Sequence, residues 1–213
     1  MSTSLILPAL YLPPVSYFHA IQQDNIPILL DKHEHYVKQS YRSRTRLATA
    51  NGILDLFIPI AHGRKIQVPM QDIRISYDHN WQRLHWLSIQ TAYRSSAYFE
   101  YYESDFARFY ENKFDFLYDF NKEQLALLLK CIKVSRDIQE SSSYIETAPE
   151  EIDFRSGIHP KKPSLYTKQK PYYQVFQDIT GFTHKVRRVK ISYSIFIFGI
   201  KNNMRICKFY RQY

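Results

Sequence analysis

The sequence predicts an α/β fold: an N-terminal strand–helix–strand unit and a β-hairpin, then a bundle of helices, with an irregular basic C-terminal tail. Three observations carry that prediction. Two short apolar runs flank an amphipathic segment within the first 30 residues, an Asn-Gly pair separates two alternating runs between 42 and 60, and from Asn80 the apolar spacing changes to i, i+3, i+4. Four segments follow: a core over 1–134, a polar linker or loop over 135–152, a further segment over 153–182 and an atypical basic tail over 183–213.

Residues 4–12 form an apolar run ended by Pro13-Pro14 and read as a buried strand. Ser16 is placed to cap a short helix through Gln23, with Phe18 and Ile21 facing inward. Residues 26–30 supply a second buried strand, as expected of a sheet covered on both faces. Asp31 then stands at the carboxyl edge of that strand, where open α/β sheets place ligands.

A hairpin is expected to join 42–50 to 53–60 through Asn51-Gly52, a pair suited to a two-residue turn in which both central residues have φ > 0. Pairing outward from that turn sets Thr49 opposite Leu54, Leu47 opposite Leu56 and Thr45 opposite Ile58 on the core-facing side. Arg42, Arg44 and Arg46 would share the other face, opposite Asp55 and Phe57. That stripe is either a cradle for a phosphate or carboxylate or a solvated strand face with Arg46 and Asp55 in a diagonal pair. Residues 64–77 read as a strand pair or as a loop and strand, with Pro69 pointing to an edge. Helices are predicted from the Asn80 cap through Tyr93, over 97–112 with an aromatic stripe, and over 122–132 with Asn121 as cap and Gln124 at N3. The serine-rich stretch 135–151 reads as a linker or loop.

Composition narrows the functional classes. Only five glycines occur in 213 residues, and no Gly-rich phosphate loop or dinucleotide fingerprint is present. Cys131 and Cys207 fit no disulfide or CxxC pattern, and no run of about 18 apolar residues exists, so a cytoplasmic protein without a membrane span is expected. The net charge of +9 resides in the tail: from Ile179 onward there are eight basic residues and no acid, which leaves 21 basic against 20 acidic residues before it. A nearly neutral body does not predict a nucleic-acid partner.

Chemistry is concentrated at 31–47 and 72–103. His33 and His35 alternate around Glu34 just after Asp31, which suits general-base work by a neutral imidazole oriented by a carboxylate. A metal site built from His33, His35 and either His79 or His85 is possible by residue type, but the spacing matches no established ligand pattern, so no metal is assigned. Asp31, His33, His35 and His85 are the candidate catalytic residues. Lys38, Tyr41, Arg42, Arg44, Arg46, His79, Trp81 and Arg83 are the candidate substrate contacts, the last three gathered at a helix N-terminus that can receive an anion. The residues name no cofactor. They imply an anionic small-molecule substrate handled by acid–base or binding-driven group transfer, because no nucleophile elbow or Cys–His pair is legible.

The opening LPALYLPPVSYFHAI, the block DKHEHYVKQSYRSRTRL with its NG and strand ending FIPI, and the block ISYDHNWQRLHWLSIQTAYRSSAYFEYYE together resemble the WbqC-like protein family over about residues 5–134. A weaker echo follows in DFR at 153–155, IHPKKP at 158–163 and YYQVF at 172–176. The positions similar to the family are Asp31, Tyr36, Lys38, Tyr41, Arg44, Trp81, His85 and Tyr93. The family takes its name from a component of O-antigen gene clusters. The resemblance therefore implies a bacterial protein of surface-polysaccharide or sugar-precursor biosynthesis acting on a sugar-linked substrate, with a transferase favoured and a non-catalytic accessory protein as the alternative. The ending after GF at 181–182 departs from the family pattern and is expected to reflect a frame-changed or degraded terminus, with 191–200 as an aggregation-prone strand.

Overall fold

In the computed structural model, the residues described are 4–22, 26–61, 67–96, 98–146, 149 and 152–162. The predicted tail over 183–213 lies outside them. The mixed α/β class holds, with small sheets and four helices among the described residues.

Strand β1 (Leu5–Pro8), helix α1 (Val15–Gln22) and strand β2 (Ile28–Asp31) form the expected opening unit. The strands pair in parallel, Leu5 beside Ile28 and Pro8 beside Asp31. All four residues of β1 are buried, and α1 buries Tyr17, Phe18, Ala20 and Ile21 against the same core. Burial of such continuous apolar strands explains why they carry no polar alternation. Between them, Leu12 adopts φ 41°, a left-handed conformation uncommon for a leucine. Its backbone is clamped from both sides: Leu12 N–H donates to Gln124 Oε1 (3.0 Å), and the Thr45 hydroxyl donates to Leu12 O (3.0 Å).

The hairpin is made by β3 (Arg44–Thr49) and β4 (Gly52–Phe57), with a register that differs from the predicted one. Thr49 pairs with Gly52, Leu47 with Leu54 and Thr45 with Leu56. The turn residues are therefore Ala50 and Asn51, and only Gly52 takes a positive φ, 118°. A turn that needs one positive φ instead of two ends on the glycine, which moves the partner of each β3 residue by two positions. Because the displacement is even, Leu47, Thr45 and Leu56 stay on the buried face, whereas Leu54, expected on the same face nearer the turn, is exposed. The described part of the stretch before the helices, 67–77, contains no continuous strand. It forms a short 3-10 turn, Met70–Asp72, and isolated bridges from Ile75 to Ile60 and from Arg74 to Phe116.

Helices α2 (Trp81–Tyr93) and α3 (Phe99–Glu111) lie close to their predicted bounds, and α3 buries Phe99, Phe106, Phe109 and Tyr110. Helix α4 (Leu117–Cys131) starts four residues before the predicted Asn121 cap. Asn121 lies fully buried inside the helix, where its Nδ2 donates to the carbonyls of Ala9 (3.1 Å) and Arg42 (2.8 Å). The local preference of Asn for a cap is overridden by two long-range carbonyls that accept from its side chain. Gln124, predicted as the N3 partner, instead binds Leu12 as described above. The polar stretch 135–152 contains a third parallel strand, β5 (Ile138–Glu140), which adds to β2 with Leu30 beside Glu140. On the far side of β1, Asp153 bridges to Ile6. Segment 152–154, β1, β2 and β5 thus stand side by side, with Pro8, Asp31 and Glu140 at one carboxyl edge. No helix among the described residues is long and apolar enough to cross a membrane.

Replacing Asn121 with Ala strands two buried carbonyls, and is expected to lower unfolding stability by about 2–3 kcal/mol. Urea unfolding checks this, with exposed Gln139→Ala as a control expected within about 0.5 kcal/mol of wild type.

Candidate functional site

The carboxyl edge of the parallel sheet carries the densest polar cluster. Asp31 is completely buried there, and both of its oxygens are engaged. Oδ1 accepts from the backbone N–H of His33 (3.0 Å) and Glu34 (3.2 Å) and from the Ser141 hydroxyl (2.9 Å). Oδ2 accepts from Arg155 Nη1 at 2.9 Å. The two N–H bonds are an aspartate's usual way of turning the chain just after itself. The ion pair to Arg155 compensates the burial of the charge. Arg155 also grips Asp153 with Nε and Nη2, and donates to Ile145 O (2.6 Å). Burial alone would push the Asp153 carboxyl up, but its bonds to Arg155 hold it below the ordinary value.

A second buried pair abuts the first. Glu34 and Arg42 are 4% and 2% exposed. Arg42 Nε donates to Glu34 Oε1 at 2.8 Å, and its Nη2 to Oε2 and to Arg155 O. Burial pushes the Glu34 carboxyl up, and the Arg42 guanidinium pulls it back. Arg42 therefore does not share an exposed arginine stripe with the strand. It precedes β3, and its charge is spent on Glu34. Arg46 lies directly opposite Asp55 and pairs with it at 3.2 Å, near solvent. Arg44 stacks over the Phe57 ring at 4.2 Å, and its Nε is buried without a hydrogen-bond partner among the described residues. The hydroxyl of buried Tyr41 is also unpartnered among them.

Of the histidines, His33 and His35 stay at this edge. His33 Nε2 is buried and has no partner among the described residues. The His35 ring packs on Tyr144 at 5.2 Å. Tyr118 Oη is likewise buried and unpartnered, and its hydroxyl is pushed up by burial, then by the charges of Glu140, Asp119, Asp31 and Glu34. Lys38 is exposed.

The α2 candidates divide between surface and core. His79 and Arg83 are exposed, while Trp81 and His85 are buried. Trp81 donates from Nε1 to Ser76 O (3.1 Å) and packs edge-on against His85 and Phe120. His85 Nδ1 lies 3.0 Å from the Tyr11 hydroxyl, which is 3.1 Å from that of Tyr110. Burial pushes the His85 imidazole down to about 4, against a hydrogen bond with the Phe57 backbone. It is a neutral link between α2, the β1–α1 corner and β4. Cys131 is half-buried, its thiol pushed up to about 11 by burial, which suits a small hydrophobe better than a nucleophile. Among the described residues no three His, Cys, Asp or Glu side chains gather as a metal-ligand set.

The Asp31–Arg155 cluster joins the 31–47 block to the Asp-Phe-Arg triplet at 153–155. The model of the WbqC-like protein family matches residues 9–158, more than half of the chain. The chain belongs to that family. The matched span includes every residue of the Asp31–Arg155 cluster, and runs well past the 134 at which the stronger sequence motifs end. No curated protein and no solved structure gives a match to this WbqC-like chain. Sequence reasoning did not place Ser141, Tyr118 or Arg155 at the site. The only signal for the last was the Asp-Phe-Arg triplet at 153–155.

Because the folded imidazole of His85 titrates below its unfolded value near 6.5, protons bind the unfolded chain more readily between those two values. The contribution is intact above pH 6.5 and is lost as pH falls toward 4, by about 3 kcal/mol at 1.36 kcal/mol per unit. Denaturant unfolding across pH 4–7 should show this slope, and His85→Gln should flatten it.

Proposed function

We propose that this chain is a group-transfer enzyme of surface-polysaccharide, O-antigen-type, or sugar-precursor biosynthesis, acting on an anionic sugar-linked substrate at the carboxyl edge of the sheet. The observation that carries the reading is the buried Nε2 of His33, without a partner among the described residues, beside the fully bonded Asp31. A buried imidazole nitrogen without a partner is costly unless a ligand completes it. In this reading His33 carries the proton of an attacking hydroxyl, with Asp31 positioning the loop that holds it. Arg44 is the guanidinium left to take the anionic group, since Arg42 and Arg46 are engaged with Glu34 and Asp55. His35 and Tyr144 offer ring surface for a sugar.

A non-catalytic accessory protein is the second reading. The observation that favours it is that Asp31, Glu34 and Arg42 are all satisfied by protein partners, leaving few free groups for chemistry.

Thermal-shift titration against nucleotide sugars, acyl-CoA and aminoacyl donors separates the readings. One donor class should raise the midpoint in proportion to log concentration. Arg44→Ala should weaken that response about tenfold or more, and His33→Gln should abolish turnover while keeping the response. Binding without turnover by the wild type favours the accessory reading. No response to any donor class overturns both.

A further inference from the structure

The described residues contain a cavity that the sheet-edge site does not use. It has a volume of about 580 Å³ and lies between the C-terminal half of α4 and strand β5. Its floor is apolar, built from Leu30, Leu125, Leu129 and Ile138. Its rim is cationic, with Lys122, Lys130, Lys133 and Arg136 against the single carboxylate of Glu140. That carboxylate is already shared between Lys122 and Lys32. Arg136 donates to Ile26 O at 2.6 Å, which holds its guanidinium at the rim. Lys130 and Lys133 are exposed and form no ion pair with a described residue.

One backbone observation singles out Lys133. It follows the end of α4 with φ 56°, its N–H donating to Lys130 O and that of Val134 to Leu129 O. This is the left-handed position closing a helix, ordinarily occupied by glycine because a Cβ is strained there. A lysine held in that conformation keeps a charge at the groove at the expense of backbone strain, a pattern associated with binding sites.

We propose that this groove binds an amphiphile with a single aliphatic chain and an anionic head group, the chain lying along the α4–β5 floor and the head reaching Lys130 and Lys133. An apolar body with a few placed charges is the usual composition of a small-molecule pocket, and the volume lies within the usual range. The charge imbalance at the rim selects an anion over a neutral or cationic head.

The test is tryptophan-independent calorimetry with dodecyl phosphate, dodecyl maltoside, dodecyltrimethylammonium and inorganic phosphate, each below its micellar concentration. Dodecyl phosphate should bind at least tenfold more tightly than the other three. Lys133→Gly should raise the unfolding midpoint by relieving the strain, yet weaken dodecyl phosphate binding at least threefold, and Lys130→Gln should weaken it without changing the midpoint. Equal binding of the cationic and anionic amphiphiles, equal binding of phosphate alone, or unaltered affinity in Lys133→Gly would each overturn the proposal.

Discussion

The buried carboxylate of Asp31 is the constraint on which the carboxyl edge depends. An ionised group with no access to water must find its hydrogen bonds within the protein. Here they come from three separate stretches of chain: His33 and Glu34 just past the end of β2, Ser141 after β5, and Arg155 from the segment that bridges β1. One aspartate therefore aligns the ends of neighbouring strands and fixes the start of the 31–43 loop. That loop in turn sets His33, Glu34 and Arg42 in place. The same bonds explain why Arg155, more than 120 residues away in sequence, belongs to the site.

The loop is held from its other end by core helix α4. Asn121 binds the carbonyl of Arg42 and that of Ala9, while Gln124 takes the N–H of Leu12. Two polar side chains buried within a leucine-rich helix join the β1–α1 corner to the approach of the hairpin. Arg42 is thus fixed through its backbone by α4 and through its guanidinium by Glu34. The outer face of the hairpin is then left to Arg44, Arg46 and Phe57, and the cationic surface there is smaller than an alternating triplet of arginines would suggest.

Much of this fold is legible in local sequence. Apolar runs around an amphipathic segment give β1, α1 and β2, and the 3.6-residue rhythm gives α2 and α3. What is not legible depends on partners distant in sequence. Strand β5 is three residues, mostly polar, and is a strand only because β2 offers it a parallel edge. Asn121 looks like a cap because its local preference says so, and the two carbonyls that hold it mid-helix are invisible in the sequence. The Asn-Gly pair marks the hairpin correctly but permits two turns, and the register follows from which one forms. At the site, Asp31 and His33 stand out by type and position, whereas the pairing of Arg42 with Glu34 requires the fold. His85 is similar: as a sequence feature it is a titratable group beside tryptophans, and in the fold it is a neutral core histidine.

The central claim is that the Asp31–Arg155 ion pair organises the carboxyl edge, and a double-mutant cycle tests it most directly. Asp31→Asn preserves an acceptor for the backbone and Ser141 while removing the charge, and Arg155→Gln removes the guanidinium. Arg155→Gln should cost about 3 kcal/mol or more by leaving the buried Asp31 carboxylate without a counter-ion, and Asp31→Asn should cost less, because Arg155 keeps its pair with Asp153. The double variant should recover about 1–3 kcal/mol of the summed loss. Additivity within about 0.5 kcal/mol would contradict the account, because the two side chains would then act independently.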